Sequence, residues 1–305
     1  MAIRYLKNIS GLSLAVLLAS TAPAFATVST AGAMLTQMTQ SISNMPNLFS
    51  AAAYLLGLLF ALTGVFKFKA HVEDSRSTPL NAGVKRFLAA GMLFAAPFMS
   101  TALQGTLVGT GGTAISQSGV HSNAGLQGMD LMITQFIGNI AQPATNLLIA
   151  FAYISAIALL VVGIVRLTKT EQEGPRGPAG LGTIMTFLAS GALFSFGDMA
   201  GIFSNSLFGT STAATYATIS TSVITASDAA QVEPVIESMM IFIMIVGFIA
   251  FVRGWFVLKA FADGSSQASL AQALTFLIGG TMAINLGQLI NLLEKTVNVS
   301  GITFS

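Results

Sequence analysis

The phrase Phe87-Leu88-Ala89-Ala90-Gly91-Met92-Leu93-Phe94 returns 100 positions later as Phe187-Leu188-Ala189-Ser190-Gly191-Ala192-Leu193-Phe194, and in reduced form as Phe276-Leu277-Ile278-Gly279-Gly280. Each copy follows a lysine that ends an apolar run, Lys69 and Lys169 by 18 residues and Lys259 by 17. A glycine leads into each of those lysines: Gly64, Gly163 and Gly254. A repeat on this scale is one supersecondary unit copied in tandem, and each copy has to pack against its own kind. Whatever one copy folds into, the others are expected to fold into as well.

The unit itself is set by hydrophobicity. Charged residues make up 8% of the chain and hydrophobic ones 53%, whereas soluble domains carry roughly 25% charged residues. Apolar runs extend over about Leu48 to Phe66, Phe87 to Leu103, Leu147 to Val165, Ile184 to Phe203, Met239 to Leu258 and Leu270 to Leu293. Each approaches the roughly 20 residues that a transmembrane helix needs. Lipid offers no partner to backbone N–H and C=O groups, so such runs are tolerated there only as helices. The predicted fold is therefore an all-α membrane protein of three tandem transmembrane helical hairpins, six spans in all, after a signal peptide. Arg4 and Lys7 form the basic head of that signal, Ile9 to Ala19 its apolar stretch, and Ala24-Phe25-Ala26 a small-residue cleavage site. The alternative is an uncleaved anchor. The divisions read as signal peptide 1–26, amphipathic segment and first hairpin 27–103, a Gly/Ser/Thr-rich extracytoplasmic linker 104–128, amphipathic segment and second hairpin 129–203, a second extracytoplasmic linker 204–234, and third hairpin with tail 235–305.

Cations orient the hairpins. Of thirteen Lys and Arg residues, ten lie in or beside the turns inside hairpins: Lys67, Lys69, Arg76, Lys85, Arg86, Arg166, Lys169, Arg176, Arg253 and Lys259. The joining segments Gln104 to Ala144 and Ser204 to Pro234 hold none. The positive-inside rule then makes the turns cytoplasmic and puts the linkers and C-terminus on the other side of the membrane. A proline precedes each hairpin, at Pro46, Pro143 and Pro234. Before the first two, stripes such as Met34, Leu35, Met38, Ile42 and Met45, or Met129, Met132, Phe136 and Ile140, fit surface helices stopped or kinked by the proline. They also fit continuous helices carried past the bilayer.

Catalytic chemistry finds little support. There is no cysteine, and the two histidines, His71 and His121, fall on opposite sides of the predicted membrane. No triad or metal cluster can be assembled, no cofactor is expected, and no nucleic-acid site is evident. Asp198, Glu237 and Glu294 fall near the outer ends of their spans and are expected in contact with water or headgroups. Asp198 is also a candidate to pair with a partner's basic group. Asn285, Gln288 and Asn291 stand three apart and suit interhelical hydrogen bonds. Candidate packing residues are Gly91, Gly191, Gly280, Asp198 and Asn285. Candidate contacts to lipid phosphates or to an acidic partner are Lys67, Lys69, Lys85, Arg86, Arg166, Lys169, Arg253 and Lys259. Trp255 beside Arg253 is expected to anchor at the interface.

A signal followed by hairpins of small-rich span, basic turn and FLxxG span resembles the inner-membrane proteins of type IVB secretion and conjugation, of the IcmC/DotE and IcmD/DotP kind. The Gly64-Val65-Phe66-Lys67-Phe68-Lys69 block with its following Phe87-Leu88-Ala89-Ala90-Gly91, and the copies from Gly163 to Gly191 and Gly254 to Gly280, carry the likeness. The hairpins are also similar to conjugative pilins, which have one hairpin where this chain has three. The resemblance implies a non-catalytic component of a transfer apparatus, with membrane lipids, other secretion-system membrane subunits and further copies of itself as partners. A freestanding channel or transporter of three repeated hairpins is the alternative.

Overall fold

The computed structural model describes residues 30–43, 45–74, 79–108, 116–117, 126, 128–169, 171–220, 224–298 and 302–305. The expected signal peptide and most of linker 104–128 lie outside them. The repeat is visible as one unit made three times: a long helix, a turn, and a second helix that breaks. The first copy has α1 (Ala31–Ser43) leading to α2 (Met45–Glu73), then α3 (Leu80–Phe94) and α4 (Ala96–Val108). The second has α5 (Met129–Arg166), then α6 (Leu181–Phe194) and α7 (Phe196–Phe208). The third has α8 (Ala226–Ala262), then α9 (Leu270–Ile284) and α10 (Leu286–Val297).

The breaks fall at Ala95, Ser195 and Asn285, each still donating its N–H to a carbonyl four residues back, on Gly91, Gly191 and Thr281, at 2.9, 3.2 and 3.1 Å. The second and third breaks turn the chain by 93° and 80°. Two residues beyond each break stands a residue that weakens a helix: Pro97, Gly197 and Gly287. The break also corrects the register of the third copy. Gly64 lies against Phe87 and Gly163 against the Phe187 ring, whereas Gly254 lies against Leu277, not Phe276. Counted to Leu277, the spacing from Lys259 becomes 277 − 259 = 18, as in the other copies.

Among the described residues, three helical runs are long and apolar enough to cross a membrane: Ala31–Glu73, Met129–Arg166 and Ala226–Ala262. Counting the bent pairs α6/α7 and α9/α10 as single spans brings the number to five. The all-helical reading thus stands, with three to five candidate spans where six were expected, and the second helix of each repeat is divided in two. With 14 or 15 residues, α3, α6 and α9 reach about 22 Å at 1.5 Å per residue, short of a hydrocarbon core of about 30 Å. Helices α5 and α8 run parallel. Their C-terminal ends meet through Arg166 and Asp263, and farther up Thr145 and Ile149 share a cavity with Met244 and Phe248. The bent pair α6/α7 therefore carries the chain back between them.

Helix α6 is the centre of the bundle. Its buried face includes Gly182, Thr183, Thr186, Ala189, Ser190 and Gly191, small residues that let α5, α8 and α4 approach it. Beside it, Phe196 and Phe203 of α7 pack with Phe248, Phe251 and Trp255 of α8, with ring centroids 5.3 to 6.4 Å apart. Trp255 is 5% exposed. It belongs to this core cluster and is not the interfacial anchor its neighbour Arg253 suggested.

Neither Pro143 nor Pro234 ends a helix; both lie inside α5 and α8. The continuous-helix reading is therefore the one that applies there. A proline removes one ladder bond, and the long helical flanks on either side carry α5 and α8 through it. Pro143 has no N–H to offer the carbonyl of Asn139, and Gly32 of α1 packs onto that same carbonyl, where a Cβ would collide. The outer ends are tied by short strands. β1 (Ser116–Gln117) pairs in parallel with β2 (Thr212–Ala213), and β3 (Ala217–Ile219) pairs antiparallel with β4 (Ile302–Phe304) at the C-terminus. The segment 204–234, read as a linker, thus contains the end of α7, two strands and the first turns of α8. Asn291 fixes β4 by accepting from the Phe304 N–H at 2.9 Å and donating to its carbonyl at 2.6 Å. Glu237, expected in water or headgroups, is 2% exposed, because this strand layer covers the outer part of α8.

Candidate functional site

The concentrated polar chemistry of the bundle lies where repeats meet. At the turn end of α5, Arg166 donates from Nη1 to Asp263 Oδ1 at 2.6 Å and from Nη2 to Asp263 Oδ2 at 2.9 Å, a two-pronged pairing. Lys259, one turn earlier on α8, donates to the same Oδ2 at 2.7 Å. Arg166 also donates to Thr186 Oγ1 at 3.0 Å, and Thr186 in turn donates to the Gly182 carbonyl at 2.6 Å. One carboxylate thus joins the second and third repeats through α5, α6 and α8.

Local geometry explains why these residues converge. Asp263 caps α8, with its N–H on the Lys259 carbonyl, and Gly264 follows at φ +76°, a left-handed turn that glycine adopts without strain. Gly182, second residue of α6, has no side chain, and a Cβ there would collide with the Asp263 carboxylate. The carboxylate therefore rests against the positive end of the α6 dipole. Burial would raise the Asp263 pKa, but the hydrogen bonds and charges of Arg166 and Lys259 overcome it and hold the carboxyl below its ordinary value. The side chains of Arg166 and Asp263 are 9% and 6% exposed, so this pair is largely withdrawn from solvent screening.

A second junction lies at the break of the third repeat. Asn285, fully buried, donates to the Thr281 carbonyl at 2.9 Å and accepts from Ser204 Oγ of α7 at 2.9 Å. Ser204 Oγ also reaches the Thr210 carbonyl at 2.6 Å, so it is removal of Ser204 that leaves a buried acceptor on Asn285, at a cost of about 1–3 kcal/mol. A double-mutant cycle with Ser204→Ala and Asn285→Ala should give a coupling of about 1 kcal/mol in unfolding titrations. Strictly additive single effects would show that the contact contributes nothing.

The other residues singled out by sequence are dispersed. Lys69 pairs with Glu73 at 3.6 Å on an open surface. Lys67, Lys85 and Arg86 are half-buried on α2 and α3, and Lys169 is half-buried in the turn after α5. Arg253 is exposed and stacks over the Phe276 ring at 4.8 Å. Asp198 is half-buried in the first turn of α7. Gly191 packs on Leu103 and Leu107 of α4, and Gly280 on the Phe251 and Gly247 backbones, whereas Gly91 has nothing within 4 Å of a would-be Cβ. The position that meets the hairpin partner is one residue earlier in the first two copies. Ala90 lies against Gly57, and Ser190 donates to the Ala156 carbonyl at 2.8 Å. Gly280 against Gly247 completes the set. The missed signal is a small residue seven positions before each lead glycine: Gly57 before Gly64, Ala156 before Gly163, Gly247 before Gly254. A seven-residue spacing keeps both on one face. Asp263 and Ser204 were missed as well, being single polar residues in unremarkable surroundings.

Among the described residues, no three His, Asp or Glu side chains converge as a metal site would require. Compared with protein-family models, curated proteins and solved structures, the chain matches none.

Proposed function

We propose that this chain is a non-catalytic structural subunit of the bacterial inner membrane, belonging to a type IVB secretion or conjugative transfer apparatus. Its basic turns face the cytoplasm, and its strand layer and C-terminus face the periplasm. The observation that carries the scaffold reading is the use of buried polar groups. Arg166, Asp263, Thr186, Ser190, Ser204 and Asn285 bond to one another or to the chain's own backbone, joining repeats and helix pairs. A transporter instead keeps ionisable groups facing a solute path near the midplane. The parallel course of α5 and α8 supports a chain that crosses an even number of times per repeat, with every basic turn on one side. The assignment to a secretion apparatus rests on the likeness of the glycine–lysine and FLxxG blocks to that family.

Two measurements test this reading. Reporter fusions at Arg76 and Arg176 should report cytoplasm, and those at Gln117 and Thr215 periplasm; the reverse at either pair would overturn the orientation. Crosslinking in native membranes should capture other subunits of a transfer apparatus, and solute flux through liposomes holding only this protein would retire the scaffold reading.

A further inference from the structure

We propose that the cleft between α5 and α8 binds one diacyl phospholipid by its ester-linked glycerol region. The inference rests on the reading of α5 and α8 as spans that start from the Arg166–Asp263 junction. On α5 the cleft is lined from Gly138 to Ile149, with Gln142, Thr145 and Asn146 between them, at spacings that keep them on one helical face. Ile241, Met244 and Phe248 of α8 form the facing wall, and Ser116 of β1 completes the lining. The volume is about 400 Å³, within the range of small-molecule sites. From Gly138 to Ile149 is 149 − 138 = 11 residues. That is about 16 Å of helix, a length over which a second helix about 10 Å across would fill about 1,300 Å³. The cleft is therefore too narrow for a partner helix and suits an extended chain.

Depth and polarity divide the cleft as a lipid is divided. Counted from the junction, Phe248 and Ile149 lie 263 − 248 = 15 and 166 − 149 = 17 residues up their helices. At 1.5 Å per residue that is about 22 and 26 Å, inside a hydrocarbon core of about 30 Å. Asn146 and Gln142 lie 166 − 146 = 20 and 166 − 142 = 24 residues up, about 30 and 36 Å, at the outer boundary of that core. The apolar end thus lies in the hydrocarbon, and the polar wall lies where acyl chains end in esters. Gln142 donates from Nε2 to Asn146 Oδ1 at 3.1 Å, which leaves the Asn146 Nδ2 hydrogens to a ligand. Ester carbonyls accept hydrogen bonds and donate none, so spare amide N–H groups suit them. Among the described residues, none that lines the cleft is charged, whereas an anionic head group is held by lysine or arginine. The glycerol esters, and not the head group, are therefore what the site reads.

The full protein in detergent is exchanged with dioleoylphosphatidylcholine or with its di-ether analogue, which lacks both carbonyls, and native mass spectrometry counts the retained lipid. Wild type should keep one lipid and prefer ester over ether about tenfold. Q142L/N146L, at two exposed positions, should abolish that preference, and M244W, which fills the apolar wall, should lower retention of both lipids. The wild-type comparison decides even where a variant fails to fold. In a separate sample F151C gives a unique thiol, because the chain has no cysteine. Phe151 is exposed on the same stretch of α5 and does not line the cleft. An environment-sensitive label there should emit as in hydrocarbon when the protein is in phosphatidylcholine nanodiscs. Equal retention of ester and ether lipid by wild type, or a preference that survives Q142L/N146L, would overturn the lipid site, and hydrocarbon-like emission at F151C would then leave the spans intact. Water-like emission at F151C would overturn the spanning reading and the proposal with it. Disulfide-linked N146C dimers in native membranes would give the cleft to a second copy and overturn the proposal.

Discussion

Asp263→Ala should lower the stability of the bundle by about 3–5 kcal/mol, the cost of leaving a buried charge without its partner. The substitution strands Arg166, whose guanidinium is held by α5 between α6 and α8, while Lys259, with a side chain 20% exposed, can turn toward water. A chemical unfolding titration in bicelles reads the loss as a shifted midpoint. Glu73→Ala, which breaks the open Lys69 pair with side chains 71% and 66% exposed, should change stability by less than about 0.5 kcal/mol. Arg166→Met together with Asp263→Leu should recover most of the loss, since paired apolar replacements of a buried ion pair are often neutral or better. Retained stability in Asp263→Ala alone would show that the junction does not hold the repeats together. Acid should act in the same direction. The Asp263 pKa is lowered in the folded chain, so its contribution is complete above the unfolded carboxyl value of about 3.9 and lost as pH falls through the folded one. Wild type should weaken below about pH 4 by this term, and Asp263→Asn should lack that component.

The tandem architecture was legible because it is written in period and hydropathy: the FLxxG phrase marks the second helix of each pair, and the lead glycine marks where the first helix meets it. The bends were not. Two halves such as Leu181–Phe194 and Phe196–Phe208 make one apolar run of spanning length, and hydropathy carries no information about direction across Ser195. The shared weak points Pro97, Gly197 and Gly287 emerge only when the third copy is aligned on Leu277, where leucine stands for the phenylalanine of the other copies. The partner of Arg166 is 97 residues away in sequence, so its burial depended on a contact that no local pattern encodes. Pro143 misled for a related reason. It does remove a hydrogen bond, yet the helix runs on through it, with Gly32 of another helix packed against the Asn139 carbonyl left without that donor.

Two adjacent glycines of α9 should respond in opposite ways to the same substitution. At Gly280 a Cβ would sit 2.8 Å from the Phe251 nitrogen and 2.9 Å from the Gly247 carbonyl oxygen, both backbone atoms of α8 that cannot rotate away. Gly280→Ala must separate α8 from α9, and overpacking of this kind costs about 1–3 kcal/mol. At Gly279 nothing lies within 4 Å of a new Cβ, so Gly279→Ala should be neutral, or stabilising by up to about 1 kcal/mol from the lower backbone entropy of alanine in the unfolded chain. Gly247→Ala meets the same interface from the other side, 2.8 Å from the Gly280 carbonyl oxygen and from the Ile284 nitrogen. Once one alanine has opened the pair, the second has less left to displace, so the double variant should lose less than the sum of the two single losses. The same bicelle titration measures all four proteins. Equal midpoints for the Gly279 and Gly280 variants would mean that α8 and α9 do not touch backbone to backbone, and the seven-residue spacing of small residues would lose its physical basis in the third repeat.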